Sequence, residues 1–217
     1  MKLKVLIVED HPSMIEGYKI ILSYNNRGYE IEVTSAFNCK SAYDLITGNT
    51  KFDVILLDYS LPPYPEKGIN TGKDLAVLVR KSDPNAKVIV LTSHSEALIL
   101  YDLIITAEPE GILVKSDFSA EELLKAFELI MDGGSYHSTT VTQNVSELLS
   151  KKIYLDSYNR KIISLLAEGI KTKNIPNYMN LSISAVEKRK VQIKDYFGID
   201  KGGDEEIIRK AKEAGLI

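Results

Sequence analysis

One cysteine, Cys39, stands among 217 residues, so no disulfide can close within the chain. Three histidines, His11, His94 and His137, are too scattered to complete a zinc site with it. These scarcities argue against a disulfide-stapled secreted scaffold and predict a reducing, cytoplasmic setting. Long apolar runs are missing as well. The opening MKLKVLIVED holds one short apolar stretch that ends in two acids. Such a stretch suits neither a signal peptide nor a membrane span, and no membrane partner is expected. Internal repeats and low-complexity tracts are also absent.

Charge is present but unevenly spread. Residues 1–150 carry 13 Lys and Arg against 21 Asp and Glu, a balance of −8, while residues 151–217 carry 14 against 9, or +5. An acidic body with a basic tail implies two units with different partners, the basic one suited to a polyanion.

Five apolar runs recur along the acidic part: residues 5–8, 31–35, 54–57, 88–91 and 112–114. Four are unbroken rather than alternating, as strands covered on both faces require. Helical spacing lies between them, most clearly in SAEELLKAFELIMDGG. There Ser119 and Glu122 form a capping-box pattern and Gly133 supplies a stop. The alternation predicts a doubly wound α/β domain built on a five-stranded parallel sheet, ending near residue 137. Residues 138–152 read as linker. Residues 153–217 show only helical signals: SYNRKIISLLAEG, TKNIPNYM, SISAVEKRKVQIKDYF and DEEIIRKAKEAG. Glycines 169, 198 and 215 fall at their ends and Thr172, Ser182 and Asp204 at their starts, predicting a second, all-α domain.

Open α/β sheets bind ligands beyond the carboxyl ends of their strands. The residues there are Glu9 and Asp10, Asp58, Thr92 with Ser93, and Lys115. Hard carboxylate oxygens suit Mg²⁺, and a lysine opposite them suits an incoming phosphoryl group. The implied chemistry is in-line transfer of a phosphoryl group to an aspartate, with Asp58 as the nucleophile. Asp53 begins the same strand at its far end and is a decoy.

The runs VLIVEDHPSMIEGYKIIL, VILLDYSLP, VIVLTS and GILVKSD resemble response-regulator receivers of flavodoxin-like fold, over roughly residues 2–136. EDHP followed by Gly17 resembles the branch whose output is a LuxR/NarL-type helix-turn-helix. The resemblance implies that Glu9, Asp10, Asp58 and the Ser60 main-chain carbonyl hold Mg²⁺. It further implies that Asp58 accepts the phosphoryl group, Thr92 is the switch hydroxyl and Lys115 pairs with the phosphate. Ser60 and His94 fall where receivers tune hydrolysis of the acyl phosphate. The implied donor is a sensor histidine kinase or a small phosphodonor, and the chain is no enzyme beyond acting on its own Asp58.

Two positions depart from that pattern. Ile112 stands where receivers carry a switch aromatic. Gly72 lies fourteen residues after Asp58, implying about six inserted residues within LPPYPEKGINTG. Three prolines stiffen this loop, which reads either as a cover for the pocket or a partner contact or, the reading slightly favoured, as a tolerated surface insertion.

In the basic part, TKNIPNYM, a short break and the helix from Ser182 have helix-turn-helix spacing. Val186, Ile193 and Phe197 should face inward. Ser184, Glu187, Lys188, Val191, Gln192 and Asp195 should face base edges, with Lys171, Lys173, Arg189, Lys190 and Lys194 flanking them toward phosphates. The stretch LLAEGIKTKNIPNYMNLSISAVEKRKVQIKDYFGI resembles the LuxR-type domain, implying double-stranded DNA as partner and a homodimer when active. Ala185 and Pro176 replace that pattern's threonine and alanine. The last helix, with Ile207, Ile208, Ala211 and Leu216, is assigned to the domain's core.

The reading is thus a DNA-binding transcription regulator controlled at Asp58. Its alternative is a phosphorylation-independent dimeric regulator with a degenerate switch. An aspartyl-phosphate phosphohydrolase ranks low because Ser60 stands where such enzymes need a second acid. A flavodoxin-like nucleotide binder ranks low because EDHP repels phosphate unless a metal intervenes.

Overall fold

The structure is a computed structural model, and it describes residues 1–150 and 155–217. The chain divides into two compact units, residues 1–95 with 101–143, and residues 96–100 with 144–217.

The first unit is a parallel sheet in the order β2-β1-β3-β4-β5-β6. Its strands are β1 (Lys2–Val8), β2 (Glu30–Ala36), β3 (Val54–Asp58), β4 (Lys87–Thr92), β5 (Gly111–Val114) and β6 (Tyr136–His137). All five predicted strands form. The sixth has two residues, too few to show any periodicity, and is anchored by Ser138, whose N–H donates to the Ile112 carbonyl at 3.0 Å. Every residue of β3 and β5 is buried, which is why those runs do not alternate.

Helices α1 (Pro12–Ser23), α2 (Cys39–Ile46), α3 (Gly72–Ser82), α4 (Ala97–Ala107) and α5 (Ala120–Met131) connect the strands. One core gathers Leu3, Val5 and Ile7 of β1 with Tyr18 and Leu22 of α1 and Phe127 and Ile130 of α5. Strand alternation turns Leu6, Ile55, Leu57, Val88 and Val90, all essentially buried, to the opposite face. The Ser119 cap forms as expected, its hydroxyl accepting from Glu122 N at 3.2 Å while Glu122 reaches back to Ser119 N.

The insertion after Asp58 is ordered. Tyr64 and Ile69 exchange backbone hydrogen bonds of 2.7 and 3.2 Å around a 3-10 turn, Pro65–Lys67, closed by Gly68 at φ 67°. Leu61 and Ile69 are buried beneath it, and Tyr64 meets Tyr43 of α2 edge to face at 5.8 Å.

The stretch read as linker carries helix α6 (Thr139–Ser150). The proposed boundary at 152 and 153 lies outside the described residues. Beyond them come α7 (Ser157–Ala167), a helical segment Thr172–Tyr178, α8 (Ile183–Phe197) and α9 (Asp204–Glu213). Ile162, Ile163, Ile175, Val186, Ile193, Ile207 and Ala211 form their shared core, with Phe197 and Ile208 packed against it.

Two local expectations change. Thr172–Tyr178 is a 3-10 helix rather than α, with Pro176 inside it. Asn174 N bonds Lys171 O at 2.8 Å, three residues back, and a proline that offers no N–H suits so short a segment. Helical segments do start at Thr172 and Asp204, but as first residues rather than side-chain caps: the Thr172 hydroxyl donates to Asp204 Oδ2 at 2.8 Å, joining two segments. Ser182 does cap α8, accepting from Ala185 N at 3.2 Å, and Gly198 ends that helix at φ 64°, where a side chain would be strained. Among the described residues no helix is long and apolar enough to cross a membrane.

Candidate functional site

The parallel sheet brings its carboxyl ends to one edge, and the acids collect there. Glu9 follows β1 and is only 1% exposed, Asp58 ends β3 at 3%, and Thr92 ends β4 fully buried. Lys115 follows β5 directly, its N–H donating to the Thr92 carbonyl at 2.6 Å. The lysine ammonium reaches back across the sheet, to 2.8 Å from Glu9 Oε2 and 3.1 Å from Asp58 Oδ2. Residues 9, 58 and 115, far apart in sequence, thus meet at one cation. Asp53, at the other end of β3, accepts from Lys4 N at 2.8 Å and stays outside this cluster.

Burial sets the electrostatics. Desolvation, with the nearby Glu9 charge, lifts the Asp58 carboxyl above its ordinary pKa despite the opposing pull of Lys115. Burial pulls the Lys115 ammonium down, but its hydrogen bond to Glu9 and the charge of Asp58 outweigh that and leave it above the usual lysine value. Lys115 is therefore a fixed positive charge at neutral pH.

Asp58 Oδ1 also accepts from Ser60 N at 3.3 Å, and Thr92 Oγ1 accepts from His94 N at 3.0 Å. Two neighbours escaped the sequence reading. His11 Nδ1 lies 3.0 Å from Glu9 Oε1 and 2.7 Å from Asp10 Oδ1, so Glu9, Asp10 and His11 form a compact donor cluster. Their adjacency in EDHP was the available signal. The Tyr59 and His94 rings meet edge to face at 5.0 Å, a pairing of two loops that no local pattern shows.

Residues that could hold a divalent cation are the acids of this edge. Among the described residues Asp10 Oδ1 is enclosed without a hydrogen bond, with His11 Nδ1 2.7 Å away. Three carboxylates against one lysine leave negative charge in excess. Oxygen donors with that charge fit Mg²⁺.

In the second unit, Ser184, Glu187, Lys188, Val191, Gln192 and Asp195 are exposed along α8, as are Lys171 and Lys173 before it. Val191 is 57% exposed, an apolar side chain on that same face. Arg189, Lys190 and Lys194 are half-buried and already engaged. Arg189 bonds Asp156 at 2.6 Å, Lys190 lies 2.7 Å from Asp204, and Lys194 donates to the Gly202 carbonyl at 2.7 Å.

Comparison with known proteins agrees with this architecture. NreC of Staphylococcus aureus, an oxygen regulatory protein, is 28% identical across 91% of this chain and 92% of its own. The transcriptional regulatory protein MctR of Rhizobium johnstonii is 24% identical over the whole of this chain and 96% of its own. Among solved structures, RcsB of Salmonella enterica serovar Typhimurium, bound to a promoter with the phosphomimetic BeF3-, superposes with a TM-score of 0.66 at 19% identity, covering 98% of both chains. A two-component response regulator of the LuxR family from Aurantimonas is 26% identical over 70% of this chain and all of its own, with a TM-score of 0.58. The family described as the response regulator receiver domain matches residues 5–128. With more than half of its length matched and the acidic edge in place, the chain belongs to the response regulator family.

Proposed function

We propose that the chain is a DNA-binding transcription regulator whose first unit takes a phosphoryl group on Asp58 and whose second unit reads double-stranded DNA through α8. The observation that carries this reading is the convergence of Glu9, Asp58 and Lys115 at one sheet edge.

Asp58 is the only aspartate whose carboxylate lies against that lysine among the described ion pairs. One of its oxygens attacks phosphorus in line, and the bond from phosphorus to the donor breaks. The electron pair departs with the donor, a phosphohistidine of a sensor kinase or the carboxylate of a small acyl phosphate. Lys115 neutralises one phosphoryl oxygen and the Thr92 hydroxyl donates to another. Glu9, Asp10, Asp58 and the Ser60 main-chain carbonyl are the residues that would hold Mg²⁺, which when bound supplies positive charge against the phosphoryl oxygens. Turning Thr92 Oγ1 toward the adduct removes the acceptor of His94 N, so phosphorylation shifts the loop between β4 and α4.

Ser184, Glu187, Lys188, Val191 and Gln192 form an exposed ridge of α8, and Lys171 and Lys173 before it are exposed too; in this reading the ridge enters the major groove and the two lysines flank it toward phosphates. RcsB binds promoter DNA and forms dimers on DNA, and homodimerisation here would double a short footprint in the same way.

A second reading, a regulator indifferent to phosphorylation, draws on Ile112, fully buried where receivers carry the switch aromatic. Selection from random duplexes, with and without a small phosphodonor, separates the two. A phosphodonor-dependent change in affinity that Asp58→Asn abolishes supports control at Asp58. Equal affinities under all conditions support the second reading, and no enriched duplex at all removes DNA as the ligand.

A further inference from the structure

Helix α8 carries four basic residues, Lys188, Arg189, Lys190 and Lys194, and their sequence clustering suggests a single phosphate-binding face. The side chains behave differently. Arg189 Nη1 donates to Asp156 Oδ2 at 2.6 Å and to Asn159 Oδ1 at 3.0 Å, and its guanidinium covers the Tyr158 ring at 4.6 Å. All three partners belong to the start of α7. Only 24% of the Arg189 side chain is exposed, and Asn159 is 5% exposed.

Lys190 repeats the arrangement on another side. Its ammonium lies 2.7 Å from Asp204 Oδ1 at the start of α9 and donates to Thr172 Oγ1 at 2.9 Å, at 12% exposure. Thr172 donates in turn to Asp204, closing a triangle. A guanidinium satisfied by a carboxylate, an amide and a ring face has to break those contacts to reach DNA. An ammonium enclosed by a carboxylate and a hydroxyl is held in the same way. Among the described residues the exposed ridge beside them shows no such tethers: Lys188, Val191 and Gln192 are exposed.

We propose that Arg189 and Lys190 are positioning residues, not DNA contacts: they lock α8 to α7, to the 3-10 segment and to α9, so that Lys188, Val191 and Gln192 meet the groove in a fixed pose. The inference rests on the DNA-reading function proposed above. It makes acids of the second unit necessary for binding a polyanion. Asp156 and Asp204 act through the basic residues they hold.

The decisive variant is Asp156→Asn in the full chain. Asp156 also caps α7, its Oδ1 accepting from Asn159 N at 2.8 Å, and asparagine caps as well as aspartate, so the helix start is kept while the charge is lost. Affinity for a selected duplex is measured by fluorescence anisotropy over a salt series. Removing a negative charge near DNA, by simple electrostatics, tightens binding. The clamp predicts the opposite sign, a loss of about tenfold, because α8 must then be ordered on binding. Arg189→Gln is expected to lose affinity by a similar factor with the slope of log K against log salt unchanged, whereas Lys188→Gln lowers that slope by about one. Arg189→Lys, which keeps the charge but not the fork or the stacking, is expected to bind with intermediate affinity, which checks the clamp even if the neutral variants fold poorly. Tighter or unchanged binding by Asp156→Asn, full affinity in Arg189→Lys, or a slope change in Arg189→Gln equal to that of Lys188→Gln overturns the inference. Absence of DNA binding by the unmodified chain overturns the function proposed above instead, so the two failures are distinguishable.

Discussion

Gly72 sits so close to Asp58 that a Cβ placed on it would lie 2.0 Å from the Asp58 carbonyl oxygen. The Gly72 N–H also donates to the Tyr59 carbonyl at 2.8 Å, so the first residue of α3 is laid directly over the backbone that presents the phosphoacceptor. Backbone cannot step aside as the tip of a side chain can. Gly72→Ala is therefore expected to destabilise the first unit by about 2 kcal/mol or more and to slow phosphorylation of Asp58. Gly17→Ala, in α1 with nothing within 4 Å of the new methyl, is the control, and it should stabilise by up to about 1 kcal/mol. Denaturant titration of both variants checks the contrast.

Asp58 also sets a pH dependence. Its folded-state pKa lies above the ordinary carboxylate value because of burial and Glu9, so the folded chain holds that proton more tightly than the unfolded chain. The ionised carboxylate therefore opposes folding at neutral pH, and the penalty fades as pH falls through the folded value and then the unfolded one. Asp58→Asn is expected to melt a few degrees higher than the unmodified chain at pH 7, with the difference gone below about pH 3. Thermal melts across that range test the sign.

The acids of the second unit work the other way. Desolvation raises the Asp156 carboxyl, but hydrogen bonds from Arg189 and Asn159 outweigh it and leave the pKa below the ordinary carboxylate value. Asp204 is lowered in the same manner by Lys190 and Thr172 against desolvation. Depressed folded values contribute stability that is present above the unfolded pKa and lost as pH falls through the folded one. Asp156→Asn and Asp204→Asn should therefore weaken the second unit near neutrality, with melting curves that converge on that of the unmodified chain in acid.

Cys39 is fully buried at the start of α2, and burial, aided by the charge of Asp74, pushes its thiol up to about 11. A thiol reagent at pH 8 is expected to leave it untouched in the folded chain and to label it once denaturant unfolds the domain. Fast labelling of the folded chain would show that the α2 end of the sheet opens.

The sheet was legible in the sequence because its strands are covered on both faces, so residues 54–57, 88–91 and 112–114 announced themselves as unbroken apolar runs. The acid and lysine positions followed, since every parallel strand ends on the same edge. What stayed hidden was pairing between distant segments. Thr172 and Asp204 have the residue types of caps, yet their oxygens serve each other across 32 residues. Arg189 reads as one charge in EKRK, and nothing local reveals that Asp156, 33 residues earlier, holds it. Tyr136 and His137 pair with β5 through backbone alone, which two residues cannot signal.

The central claim is that Asp58 accepts the phosphoryl group, and the most direct measurement is the intact mass of the chain after treatment with a small acyl phosphate and Mg²⁺. The unmodified chain and Asp53→Asn are each expected to gain one phosphoryl group, and Asp58→Asn none. A phosphoryl gain by Asp58→Asn at the stoichiometry of the unmodified chain would contradict the account.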